Sequence, residues 1–168
     1  SPGWTVADQI GHLTYFDGTA AQAIVDPDAF QAEMAVLFEQ AGGGESADDV
    51  TLRASRAMTP DARLAAWRSN RSALAEAGAT LDNDTRVPWY GPSMGSKSFL
   101  TARLMEAWAH GQDIVDTIGA TREPTDRLRH ISQLGFITRG WTYINRGLEE
   151  MLAAVGRALG LLLYRLSR

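Results

Sequence analysis

No cysteine occurs among the 168 residues. Disulfides, cysteine-based zinc sites and a cysteine nucleophile are therefore excluded, and the composition agrees with the cytoplasm as the expected location. Positive charge is also short. Sixteen lysines and arginines stand against 20 acidic residues, a formal net charge of −4, so nothing in the charge balance argues for a nucleic-acid partner. No apolar run is long enough and free enough of charge to span a membrane, and no basic-then-apolar leader is visible. Histidine is scarce, with three in the chain: His12, His110 and His130. Any chemistry that rests on imidazole must draw on these.

What is present reads as an ordinary folded protein. Hydrophobic residues make up 45% and charged residues 21%, and the length suits one domain with a sizeable core. The expectation is a single helical domain over residues 1–168. Thr5 is placed to cap a helix over Val6 to Val25, with Asp8 completing a capping box. Asp26-Pro27 ends that helix and starts another, because the residue before proline is pushed out of the helical region. Gly42-Gly43-Gly44 stops the second helix, and Ser46 caps a shorter one through Met58. Thr59-Pro60 opens a helix that ends near Gly78.

Residues 79–96 hold Asp82-Asn83-Asp84, Pro88, Gly91-Pro92 and Gly95, all turn chemistry. Trp89, Tyr90 and Met94 interrupt that polarity, so the loop is either a site wall or a connector pinned to the core by Trp89. Ser96 or Ser98 opens the next helix, which runs to Ile118. Its expected apolar face is Leu100, Leu104, Ala107, Trp108, Val115 and Ile118, with Arg103, Glu106, His110, Asp113 and Thr117 as a polar seam beside it. Thr125 caps a helix ending near Gly147. From about Leu148 to 166, Leu148, Leu152, Val155, Leu159, Leu162 and Leu166 are spaced as the seam of a closely packed helix. That seam suits packing within the chain or a homodimer through the C-terminal helix. No strand and no sequence repeat is expected.

Glu106 and His110 are four residues apart, hence one turn apart on one side of a helix, with Asp113 three further on. A carboxylate and an imidazole so stacked are half of a metal site. They are equally the pattern of a common helical pair. Burial against Leu104, Trp108 and Ile114 favours the metal, since buried polar groups need partners and both side chains are good ligands for zinc and similar ions. His12 alone is an ordinary core or boundary histidine.

The phrase Gly3-Trp4-Thr5-Val6-Ala7-Asp8-Gln9-Ile10-Gly11-His12-Leu13, followed by a later helix with Glu-x-x-x-His-x-x-Asp, resembles the DinB-like metal-binding superfamily. More narrowly, it is similar to the N-terminal domain of the mycothiol-dependent maleylpyruvate isomerase family. The resemblance covers about residues 1–147 and includes Trp89-Tyr90-Gly91-Pro92, Arg139-Gly140-Trp141 and Asn145-Arg146-Gly147. It implies an all-α fold, a DinB-like four-helix bundle; with the leucine seam, the expectation for this chain is that bundle with additional short helices and an extra C-terminal helix. It also implies one divalent metal ion, commonly zinc, at His12, Glu106 and His110, with a fourth position open to water or a low-molecular-weight thiol such as mycothiol. In such enzymes the thiolate is the nucleophile. Its addition to a double bond, rotation and elimination would isomerise a small electrophilic substrate, and related proteins would transfer the thiol instead.

Asp113 is then expected to hold a ligand histidine or a nearby backbone group. Trp89, Arg103 and Arg139 are candidates for the substrate pocket, the arginines as carboxylate clamps. His130, beside Arg127 and Arg129, is expected at the surface. Two departures from the family stand out: no helix precedes the Pro-Gly-Trp phrase, and the leucine-rich helix stands where a second domain is usual. The expected function is a thiol-dependent transferase or isomerase. The alternatives are a non-catalytic metal-binding or regulatory domain lacking its substrate-binding partner domain, and a metal-free helical interaction protein.

Overall fold

The computed structural model describes residues 3–147. The chain divides into two compact units, one ending at Pro124 and one beginning at Thr125. The expected leucine-seamed helix over 148–166 lies outside the described residues, and with it the dimer contact it would make.

The first unit is a helical bundle, as expected from an all-α, DinB-like chain. Its helices are α1 (Val6–Val25), α2 (Pro27–Gly42), α3 (Ala47–Arg56), α4 (Pro60–Gly78) and α5 (Ser96–Thr117). α1 is the central element and packs against each of the other four. No helix among the described residues is long and apolar enough to cross a membrane.

The helix starts follow the predicted chemistry. Thr5 accepts from the Asp8 amide while the Asp8 carboxylate accepts from the Thr5 backbone N–H, a complete capping box. Asp26 caps α2 with Pro27 in its first turn, Ser46 caps α3, and Thr59 caps α4 ahead of Pro60. Arg56 then ties helix ends together, donating to Asp8 on α1 and to Asp49 on α3 at 2.9 Å each. Arg63 is buried on α4 and donates to the Ser55 and Met58 carbonyls, which satisfies carbonyls at and just after the C-terminal end of α3.

Small residues let α1 sit close to its neighbours. Ala20, Ala21 and Ala23 are buried in the core with Leu74 and Ala77 of α4. Gly11 faces α3, where an added methyl would lie 2.9 Å from the Ser55 Cβ and 3.2 Å from a Leu52 methyl. The rest of the core is aromatic. Phe30 and Phe99 are fully buried, and Trp89 stacks on Phe30 at 5.7 Å and meets Phe99 edge-on at 5.2 Å. Of the two readings of loop 79–96, pinning by Trp89 describes these contacts.

Two local expectations need correction. Two strands of two residues each are present, β1 (Arg86–Val87) and β2 (Met94–Gly95), paired antiparallel with Val87 opposite Met94. They were invisible as a pattern because two residues carry no alternation. α5 opens at Ser96, one of the two serines expected to start it, with Gly95 as the residue before; the Ser96 hydroxyl donates to the Asp82 carbonyl, closing the loop on itself. The helix expected from Thr125 to Gly147 is two helices in the second unit, α6 (Leu128–Ile137) and α7 (Arg139–Asn145), parted at Thr138. There the Thr138 hydroxyl donates to the Leu134 carbonyl, a back-bond that bends helices.

Two outcomes test this frame. Gly11→Ala gains about 1 kcal/mol of helix propensity but overpacks α1 against α3, at about 1–3 kcal/mol. Net destabilisation is expected in urea titration; an unchanged or raised midpoint contradicts the close approach. The second concerns acid. Burial raises the Asp8 carboxyl, but bonds from Thr5 and Arg56 outweigh it and hold it at about 2. A depressed carboxyl stabilises the fold above its unfolded value of 3.8, and that contribution is lost as pH falls through the folded value. The urea midpoint of the wild type is therefore expected to drop between pH 4 and pH 2 more steeply than that of Asp8→Asn.

Candidate metal centre

Polar residues make the contact between α1 and α5. On α5 the buried positions are Ser96, Phe99 and Arg103, and the same face continues one turn at a time through Glu106 and His110. The residues expected to form its apolar face lie elsewhere. Leu100, Leu104 and Ala107 border an open cavity of about 450 Å³ between α4 and α5, and Ile118 is 65% exposed. The seam, not the apolar stripe, faces α1. The reason is pairing: Arg103, Glu106 and His110 each meet a polar side chain of α1.

The first pair is Arg103 and Asp17, both buried, with the guanidinium donating to the carboxylate at 2.9 Å. Burial raises the Asp17 carboxyl above the usual carboxylate range, and Arg103 offsets only part of that. The Arg103 guanidinium also lies 5.8 Å from the Trp89 ring and 6.0 Å from the Phe16 ring. Its Nε is buried without a hydrogen-bond partner among the described residues.

One turn along lies the cluster itself. Glu106 Oε2 is 3.1 Å from His12 Nε2 and 3.2 Å from His110 Nε2. Each of the three residues offers a donor atom within 4.8 Å of the others. All three are partly buried. The neighbouring His110 and His12 hold the Glu106 carboxyl well below the usual carboxylate range against the opposing effect of burial, with Arg103 adding to the depression. The imidazole rings are 4.4 Å apart. Trp4 stacks nearly parallel to His110 at 5.8 Å and tilts against His12 at 5.2 Å, while Phe16 packs against His12 at 4.5 Å. Aromatic rings thus pack against both imidazoles.

Asp113 reaches His110 through an intermediary. Gln9, buried on α1, donates from Nε2 to Asp113 Oδ2 at 3.1 Å, and its Oε1 meets His110 Nδ1. Sequence reasoning overlooked Gln9, Phe16 and Asp17. The first two were within reach, since Gln9, His12 and Phe16 follow the three-then-four spacing of one helix face. Of the pocket candidates, Trp89 lies in the aromatic core and touches the centre through Phe16, at 6.2 Å from that ring. Arg103 is committed to Asp17. Arg139 is exposed in the second unit, with its guanidinium 5.6 Å from the Phe136 ring. His130 is exposed in that same unit, 3.4 Å from Arg129 Nε.

These features define a class: an all-α, DinB-like helical bundle with a cluster of two histidines and a glutamate shared by two of its helices. The family follows from comparison of sequences. Residues 1–115 match the family described as the mycothiol maleylpyruvate isomerase N-terminal domain, and the chain belongs to that family. Two similar proteins from Mycobacterium tuberculosis, the uncharacterized proteins MT0041 and Rv0036c, are each 39% identical over 144 residues. The match covers 86% of this chain and 55% of each relative, so the chain spans about half the length of these curated relatives. No solved structure matches the chain at a significant level.

The Asp17–Arg103 pair supplies a test. Asp17→Asn leaves a buried guanidinium without its counter-charge and is expected to destabilise the protein by about 3–5 kcal/mol. The double variant Asp17→Leu/Arg103→Leu removes both charges and should recover most of that loss in urea denaturation. Equal losses in the two variants would show that the charges themselves do not matter.

Proposed function

We propose that this chain binds one divalent metal ion, zinc by the chemistry of the donors, and acts on a low-molecular-weight thiol such as mycothiol. The reaction is transfer of the thiol to a small electrophilic substrate or thiol-assisted isomerisation of that substrate. The observation that carries the reading is the convergence of His12, Glu106 and His110 donor atoms within 4.8 Å. Two imidazoles and one carboxylate form the donor set of catalytic zinc, which leaves a position open, rather than of closed structural sites. Membership in a family described by mycothiol and maleylpyruvate isomerase supports the thiol and the reaction class.

The residues divide the work as follows. His12 Nε2, Glu106 Oε2 and His110 Nε2 would hold the ion, with Glu106 contributing the one negative charge. Bound there, the ion supplies a positive centre that favours a thiolate over a thiol. Trp4 and Phe16 pack against the imidazoles; apolar surface there lowers the local dielectric, which strengthens electrostatic attraction between the site and an anionic sulfur. The absence of cysteine suits a chain whose thiol comes from outside.

Metal analysis tests the reading. The full chain, reconstituted and desalted, is expected to retain about one equivalent of zinc. His12→Ala and His110→Ala should each weaken binding by more than about a hundredfold in chelator competition, the loss of a ligand exceeding that of a supporting contact. His130→Ala should leave it unchanged. Less than about a tenth of an equivalent in the wild type would overturn the metal site. Retained zinc without metal-dependent turnover of several thiols would make the chain a binding domain instead of an enzyme.

A further inference from the structure

We infer that Gln9 is a positioning residue for the metal centre. It fixes which nitrogen of His110 is free to bind, and it does so without adding charge. The inference rests on the reading of His12, Glu106 and His110 as a metal site, and deepens it.

Asp113, Gln9 and His110 form a chain of three groups. A carboxylate accepts hydrogen bonds and does not donate them. The Gln9 amide therefore turns its nitrogen to Asp113, at 3.1 Å, and its oxygen falls to His110 Nδ1. An amide oxygen also only accepts, so Nδ1 must carry the hydrogen. In a neutral imidazole the other nitrogen is then bare. That nitrogen, His110 Nε2, is the one facing Glu106 Oε2 at 3.2 Å. A lone pair facing a carboxylate oxygen across that distance is unfavourable unless a cation lies between them. Asp113 thus determines, two bonds away, that His110 presents a lone pair to the space it shares with His12 and Glu106.

The amide matters as much as the contact. Histidine ligands commonly donate their second nitrogen to a carboxylate, which makes the ring more basic. Here Asp113 is kept one amide away. The donor set carries one formal negative charge, that of Glu106, and a divalent ion leaves the centre with a net positive charge. Such a centre attracts a thiolate; a carboxylate directly on His110 would offset that charge. Gln9 is buried, and its amide nitrogen and oxygen both contact residues of this seam, so the side chain contributes an interaction that an apolar residue of similar volume cannot.

Zinc affinity by chelator competition and the imidazole nitrogen pattern by long-range proton–nitrogen NMR test this in the full chain at a pH where the rings are neutral. In the wild type, His110 is expected to be protonated on Nδ1 with and without zinc. Gln9→Leu is expected to lose about 10–100-fold in zinc affinity and to show mixed protonation of His110, with helical content unchanged by circular dichroism. The paired variant Gln9→Glu/Asp113→Asn keeps both hydrogen bonds and moves the negative charge onto the imidazole. It should restore zinc affinity to the wild-type level or above. Wild-type affinity and an unchanged nitrogen pattern in Gln9→Leu would overturn the role of Gln9. So would protonation of His110 on Nε2 in the zinc-free wild type, an outcome that can be read even if Gln9→Leu fails to fold. Failure of the wild type to bind zinc would instead remove the metal site, and the nitrogen pattern of the zinc-free protein would still decide whether Gln9 sets the tautomer.

Discussion

The structure depends on one constraint: a helix buried on nearly every side must find a partner for each polar group it carries. α1 is that helix. Gln9, Thr14 and Asp17 are buried along it beside Leu13, Ala20 and Ala23. Thr14 satisfies its hydroxyl within the helix. Gln9, His12 and Asp17 cannot, and each finds its partner on α5. The α1–α5 contact is consequently a polar seam inside the bundle.

The other elements hold that seam in place. Caps at Thr5, Asp26, Ser46 and Thr59 set where the helices begin. Gly11 admits α3 to within a close approach of α1 one residue before His12, so the helix carrying the first proposed ligand has little freedom to shift. The loop between α4 and α5 inserts Trp89 between Phe30 and Phe99, which anchors the start of α5 two turns before Glu106. Stability and site geometry are therefore drawn from the same contacts.

Much of this was legible in the chain. Helix starts rest on chemistry within a few residues, so Thr5 with Asp8 and Thr59 with Pro60 could be read without knowing the fold. The spacing of Glu106 and His110 on one helical face was equally local. Gln9 was not recognised, although it lies one turn before His12, because a buried amide declares its role only when its two partners are known. The face of α5 was misjudged for a related reason. Hydrophobic periodicity assumes that apolar residues point inward, and Arg103, Glu106 and His110 point inward here because α1 supplies their partners. The pair of two-residue strands had no pattern to read, and the break at Thr138 depends on a side-chain back-bond that composition does not announce.

By itself the sequence determined the helical class, most helix boundaries in the first unit, and which residue types were present to bind a metal. These follow from capping, proline sterics and periodicity, all of which act over a turn or two of chain. Only the tertiary structure decided that His12 meets Glu106 and His110, that Asp17 pairs with Arg103, and that Asp113 speaks to His110 through Gln9. Those contacts join residues about a hundred positions apart. They exist because burial leaves a polar group no partner but the one that packing brings to it.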